Sequence, residues 1–464
     1  MLKGEEILHF KKNNVLIFFI LNLVFIGILT VTIPFNNLKR SDFLVMTTFV
    51  INGCIWMALL FNEIKKRAFS LAFMHWCFCL FFFFFVAIVQ YTNDKFPWVG
   101  YISDSLALNS NLTLLLYTLF VWLGNSVEFL KLNIIKKYMN KNFAINRFPQ
   151  ISLCMLILIA FWRILNVGLA NLLSRSTSSY AISDNMSMSM LFSHSMEAVA
   201  YFSALFCLIY LKKNYKSIIY IGIVCLIILL AYPPTGLARY KAAAIYLGLL
   251  LTISDNLKIT RKFSLLFIFG FILILPFLNI FRNDNFVNIS LIYTISEITN
   301  NISMIWLAGD YDSYTMLSLA INYVDVYGMD FGYQLLGAIF FWIPRQIWIN
   351  KAIGSGAEIA ESVGLNFTNI SCPLPAEMML AFSYFGIIIL GFFVGNIIRF
   401  FDRFYWKEAF GMRRINFIYP VIVIFFFFLC RGDLLSSFAY LSAFAIIYII
   451  YLKVYDIIKK SVIK

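Results

Sequence analysis

"FSLAFMHWCFCLFFFFFVAIVQY", residues 69–91, contains no Lys, Arg, Asp or Glu. A helix needs about 20 mostly apolar residues to cross the hydrocarbon core of a bilayer, and this stretch has that length. Its cysteines, Cys77 and Cys79, sit too deep in the run for a metal or redox motif. With Cys54, Cys154, Cys207, Cys225, Cys372 and Cys430 they read as small buried hydrophobes without metal spacing.

The same reading carried along the chain predicts about 12 spans: 14–34, 43–61, 69–91, 109–130, 149–170, 190–211, 217–234, 240–254, 263–281, 376–398, 415–430 and 434–452. The seventh and eighth are joined by "YPPTGLARYK" (232–241) and read as short or broken helices. No small-residue cleavage site follows the first run, so it is expected to be a retained span. The chain is 61% hydrophobic and 13% charged, where a soluble domain carries roughly 25% charged residues. The expected fold class is therefore an all-α polytopic membrane protein. It divides into spans one to nine (1–281), a long, partly helical outer loop (282–375), and spans ten to twelve with a tail (376–464).

Charge placement orients the spans. Of the 37 Lys and Arg, 26 fall in segments on the side of the N-terminus, ten on the other side, and Arg163 inside a span. This bias predicts both termini in the cytoplasm of a bacterial plasma (inner) membrane. The net charge of +14 is then mostly a topology signal facing anionic membrane lipid, and no nucleic-acid partner is expected.

The residues that resist this reading lie deeper or outside. Arg163 and Glu197 each sit about seven residues below the outer end of a span, roughly 10 Å deep, and are expected to pair or to line a cavity; His194 lies one turn above Glu197. The outer cations Arg239, Lys241, Arg282, Arg345, Lys351 and Arg431 stand near turn residues or acids. Arginine grips phosphate oxygens in pairs and lysine adds a point charge, so together they form a candidate diphosphate pocket. Trp306, Tyr311, Tyr314, Trp342 and Trp348 read either as sugar-stacking rings or as an interfacial aromatic belt. Among the outer carboxylates, which include Asp284, Asp310, Asp312, Glu358, Glu361 and Asp433, Glu377 stands at the mouth of the tenth span, where partial burial favours a general base.

Read in order, "FRND" (281–284), "GDYDSY" (309–314), "GYQL" (332–335), "IPRQIWINK" (343–351), "SCPLPAE" (371–377), "YFGIIILGFFVG" (384–395) and "RGDL" (431–434) resemble the O-antigen polymerase family, the Wzy-type polymerases of lipid-linked oligosaccharide repeat units. The resemblance covers roughly residues 230–450. Arg345 with Gly356 fits an arginine-x10-glycine pattern of some members; Arg239 has Leu250 at that distance, so a second copy is absent. The resemblance implies a membrane-embedded (GT-C-like) glycosyltransferase architecture similar to the O-antigen ligases. It implies transfer of a growing chain from undecaprenyl diphosphate to a new lipid-linked repeat unit, with no cofactor, nucleotide sugar or metal. A chain-length regulator and a flippase are implied partners. Arg345, Lys351, Arg282, Arg431 and Arg239 are then the expected diphosphate site, and Trp342, Trp348 and Tyr311 the expected sugar-binding rings. Arg345, Glu377 and Asp284 are the expected catalytic groups, with Asp433 competing as base. Two alternatives stand beside this. A ligase is expected to place a histidine in the outer loop, and residues 282–375 contain none. A flippase or other transporter suits the span count but is expected to carry an internal repeat, which this sequence lacks.

Overall fold

The computed structural model describes residues 27, 38–142, 148–168, 186–214, 218–234, 239–254, 262–270, 306–407 and 413–463. Regular structure among them is helical, apart from isolated bridges at Phe96–Gly100 and Asn142–Arg413. In chain order the helices are α1 (Phe43–Lys66), α2 (Leu71–Thr92), α3 (Asp104–Ser126), α4 (Asn133–Met139), α5 (Phe148–Val167), α6 (Met186–Asn214), α7 (Ile218–Ala231), α8 (Arg239–Ile253), α9 (Lys262–Phe269), α10 (Ser313–Tyr327), α11 (Tyr333–Ile339), α12 (Ser355–Ser362), α13 (Leu374–Lys407), α14 (Ile415–Leu429) and α15 (Leu434–Ile463).

Six helices among the described residues are long and apolar enough to cross a membrane: α1, α2, α3, α13 and the apolar parts of α6 and α15. Four more, within α5, α7, α8 and α14, are apolar but shorter. The chain is an α-helical membrane protein. Every expected span within the described residues coincides with a helix; span 14–34 and most of 263–281 lie outside them. The expected outer loop is partly helical where described, with α10, α11 and α12 joined by turns.

α2 is the central helix, 94% of its apolar window being buried inside the protein. Apolar residues on all its faces suit that position, and its phenylalanine run adopts a π-helical turn over Cys79–Val86. Its first amides have no partner within the helix, and in an apolar medium each would be costly. Ser70 Oγ accepts from the Phe73 amide (2.9 Å), and the buried carboxylate of Asp402, on α13, accepts from Leu71 (2.8 Å) and Ala72 (3.1 Å). The same carboxylate pairs with Arg67 (3.2 Å) and accepts from the Tyr419 hydroxyl.

α13 and α3 cross at backbone contact. A Cβ on Gly124 would stand 2.0 Å from the Phe392 carbonyl oxygen, and one on Gly395 would stand 2.1 Å from that of Val121. Gly391 and Gly395 thus form a small-xxx-small seam of the kind that lets membrane helices pack by close approach. Asn396 accepts from the Phe129 amide (3.0 Å) and Arg399 donates to the Asn125 carbonyl (2.7 Å), so α13 also completes the end of α3.

The tenth expected span, 376–398, is corrected in form. α13 begins at Leu374, continues to Lys407, and is broken at Phe382–Ser383, where Ser383 has φ +53°. The carbonyls released by the break are not left bare: those of Leu380 and Ala381 accept from the amides of Asp330 (2.9 Å) and Gly332 (3.0 Å). A loop from the non-spanning segment is thereby stitched into the side of a broken helix, as irregular backbone within apolar surroundings requires. Gly332 has φ +80°, and a Cβ there would meet the Phe382 ring at 2.7 Å.

Gly395→Leu is expected to lower thermal stability in detergent by about 3 kcal/mol through overpacking at the seam. Ser383→Gly, which relieves a left-handed non-glycine conformation, should raise it by about 1 kcal/mol. A Gly395 variant that melts like the parent would refute the close crossing.

Candidate functional site

The segment 306–373 is anchored before it forms any site. Gln90, at the end of α2, donates to the carbonyls of Trp306 (2.9 Å) and Tyr311 (3.0 Å). Trp98 Nε1 (3.0 Å), Ser371 Oγ (2.5 Å) and Arg431 Nη2 (3.2 Å) all donate to the buried carboxylate of Asp312. On this base α10, α11 and α12 surround a groove of about 520 Å³. Its lining includes Tyr323 and Tyr327 from the end of α10, Tyr333 and Gln334 from α11, Asn350 to Ile353 from the following turn, and Glu358 and Glu361 from α12.

The groove's polar side chains are oriented by one another. Glu358 accepts from the Tyr323 hydroxyl (2.9 Å) through Oε1 and from the Gln334 amide through Oε2. Tyr333 donates to the Asn350 carbonyl and has the Trp348 ring against its edge, centroids 5.8 Å apart. Asp330 caps α11, accepting from the amides of Gly332 (2.9 Å) and Gln334 (3.2 Å). Partial burial nonetheless raises its carboxyl above the usual aspartate range.

Behind the groove, two carboxylates join the starts of α12 and α15. Glu377, buried on α13, accepts from Ser355 Oγ (2.5 Å) and from the Leu434 amide (2.7 Å). Asp433 accepts from the amides of Leu435 (2.9 Å), Ser436 (3.3 Å) and Gly356 (3.4 Å). Helix N-termini favour negative charge, but burial dominates and pushes the Asp433 carboxyl up. The two glycines here are close-approach residues. A Cβ on Gly354 would lie 2.3 Å from Asp433 Oδ2, and one on Gly356 would lie 2.3 Å from the Ile370 carbonyl oxygen.

Several sequence expectations are revised. Lys351 is buried and donates to the carbonyls of Phe341 (2.5 Å) and Ile343 (3.0 Å); burial, then neighbouring Arg345, lowers its pKa. Arg345, exposed, donates to the carbonyls of Lys351 (2.7 Å) and Ala352 (3.2 Å). Arg431 is held by Asp312 and by the Gly309 carbonyl (3.3 Å). The structure thus does not gather these cations into one anion pocket: only Lys351 lines the groove, and its ammonium is committed to backbone. Arg282 and Asp284 lie outside the described residues, as does the side chain of Arg239. Tyr311 is fully buried among Phe81, Phe82 and Trp306 and cannot stack on a sugar; Tyr314 is buried too. Trp342 is exposed but not in the groove, and Trp348 supports Tyr333 from behind. Glu377 has both oxygens engaged, so as placed it organises the site and does not face it.

The Arg163–Glu197 pair is replaced by another. Glu197 takes Lys241 at 3.0 Å, with His194 Nδ1 3.4 Å from the same ammonium, while Arg163 donates to the Ala231 carbonyl (3.1 Å). Lys241 comes from α8, a partner that spacing within α5 and α6 did not suggest.

The groove residues Tyr323, Tyr327, Tyr333, Gln334, Asn350, Glu358 and Glu361 are those that sequence reasoning did not assemble. "GYQL" contained two of them, and the glutamates stood among the outer acids, but nothing local marked them as neighbours. Fold and site together define an α-helical membrane protein with a polar, tyrosine-rich groove in a segment between its spans. No family model, curated protein or solved structure matches the chain.

The raised Asp433 and Asp330 carboxyls set the pH dependence. A carboxyl raised in the folded state contributes stability that is present below its unfolded value and is lost as pH rises through the folded value. Resistance of residues 350–375 to limited proteolysis is therefore expected to fall from mildly acidic to alkaline pH. Asp433→Asn, which carries no charge, should make the slope shallower; an unchanged slope in that variant counts against the assignment.

Proposed function

We propose that this chain is a membrane-embedded glycosyltransferase that polymerises undecaprenyl-diphosphate-linked oligosaccharide repeat units on the outer face of the bacterial plasma membrane. In this reading the chain crosses the membrane about 12 times with both termini inside. The observation that carries the proposal is the groove: tyrosine faces, amides and two carboxylates in one open trough are the chemistry that grips sugar rings and their hydroxyls. The family resemblance of residues 230–450 and their motifs supports the same substrate class.

The roles follow from placement. Tyr323, Tyr327 and Tyr333 carry the sugar rings. Gln334, Asn350 and Glu358 hold hydroxyls, Glu358 being oriented by Tyr323 and Gln334. The acceptor hydroxyl attacks the anomeric carbon of the donor chain, the bond from that carbon to the diphosphate oxygen breaks, and the hydroxyl proton passes to a groove carboxylate. Glu361 is the better candidate, being exposed in the trough. The departing diphosphate carries the developing charge, and Arg345, exposed beside the turn that borders the groove, is the described cation best placed to meet it. Each of its Nη atoms serves a turn carbonyl with one N–H and keeps a second for a phosphate oxygen. Lysine in its place loses the planar guanidinium that holds both turn carbonyls while leaving N–H groups for phosphate.

Deletion of the gene in its host is expected to leave surface glycan of single repeat units on a gel, with the ladder restored by the wild-type chain. Glu361→Gln should lower polymer yield by about 100-fold or more, and Tyr333→Ala should weaken acceptor use. Full-length chains accumulating on the carrier would indicate a ligase instead. Repeat units trapped on the cytoplasmic face would indicate a flippase, and an intact ladder in the deletion strain would end the proposal.

A further inference from the structure

At the other end of α13 from Glu377 lies a second cavity, of about 240 Å³, with a different character. Its lining includes Lys136, Arg399, Arg403 and Lys407, with Glu128 the only carboxylate among the described lining residues. Glu128 is already shared, by Arg403 at 2.9 Å and Lys136 at 3.8 Å. Among the described lining residues the four cations therefore outnumber the one carboxylate. Arg399 sends Nη1 to the Asn125 carbonyl (2.7 Å), and its buried Nε–H has no acceptor among the described residues. Four cationic side chains sharing one carboxylate give this cavity a charge balance that favours an anion.

We propose that this cavity binds a phosphoryl group, with the headgroup of an anionic phospholipid as its source. Oxygen atoms of one phosphate are met by the Arg399 guanidinium and by Lys407, which line the cavity together. The surroundings favour a lipid over free phosphate. The cavity includes Phe400, over whose ring Lys136 lies at 5.2 Å, and Asn396, which holds the Phe129 amide. Phe129 and Phe393 are exposed and in contact, ring centroids 5.9 Å apart. An acyl chain leaving the cavity past Asn396 meets this apolar pair. Basic pockets between helices at a membrane surface bind anionic headgroups by this combination. The inference stands apart from the groove, and its test does not depend on polymerase activity.

The full-length chain is reconstituted in nanodiscs of phosphatidylcholine, alone or doped with phosphatidylglycerol, and retained lipid is counted by native mass spectrometry. Binding of inorganic phosphate to the detergent-solubilised protein is measured in parallel. Retention of phosphatidylglycerol over phosphatidylcholine is expected. Lys407→Gln should weaken it about fivefold, and Arg399→Gln about tenfold or more, with melting temperature recorded for each variant. Should Arg399→Gln unfold the protein, Lys407→Gln, an exposed substitution, decides alone. Phosphate binding that is lost in the variants, without lipid retention, keeps the phosphoryl site and reassigns its source to a soluble anion. Absence of any preference for phosphatidylglycerol together with no phosphate binding, or equal binding by wild type and variants, overturns the proposal.

Discussion

Within apolar surroundings a backbone amide or carbonyl must find its partner inside the protein, because no water is there to take it. α13 meets that constraint for its neighbours at several points along its length. Asp402 receives the first amides of α2, Asn396 and Arg399 receive the end of α3, and Glu377 receives the first amide of α15. Between them the Gly391–Gly395 seam brings α3 in until backbone touches backbone. Removing one partner from such a buried arrangement leaves charges and amides exposed to hydrocarbon, a loss of about 3–5 kcal/mol where an ion pair is broken.

The break at Phe382–Ser383 follows the same logic and has a consequence for the groove. A helix interruption frees carbonyls, and here they bind the amides of Asp330 and Gly332. The loop that carries Tyr333 and Gln334 is thereby fixed against a spanning helix. Glu377, a turn above the break, ties α12 through Ser355. Groove walls from α11 and α12 are therefore both referenced to α13, although neither belongs to it. Rigid elements of this kind suit a site whose side chains must keep defined distances.

The cations of the turn at 343–352 illustrate how a charge can serve structure. Lys351 and Arg345 donate between them to the carbonyls of four residues within a short stretch. The turn contains Pro344 and is too short to form a helix, so its carbonyls lack helical partners. Cationic side chains supply the missing donors, and the turn then presents Asn350, Ala352 and Ile353 to the groove. At the opposite end of α13 the balance is reversed: among the described lining residues, cations outnumber the one carboxylate.

What the sequence determined by itself is the apolar helices among the described residues and the membrane class. Runs such as 69–91 bury too much apolar surface, over too great a length, to belong to anything but a helix in or at a bilayer. The presence of a built segment before α13 was also legible, because turn residues, acids and rings interrupt the hydropathy there. Tertiary structure alone decided which charges meet. Glu197 finds Lys241 on α8 and not Arg163, since the choice depends on which helices cross and at what depth. Tyr311 turns inward and Tyr333 outward because Gln90 anchors one segment and the α13 break anchors the other. Those contacts join groups from 44 residues apart, for Glu197 and Lys241, to 221 apart, for Gln90 and Tyr311, and the spacing along the chain carries no record of them.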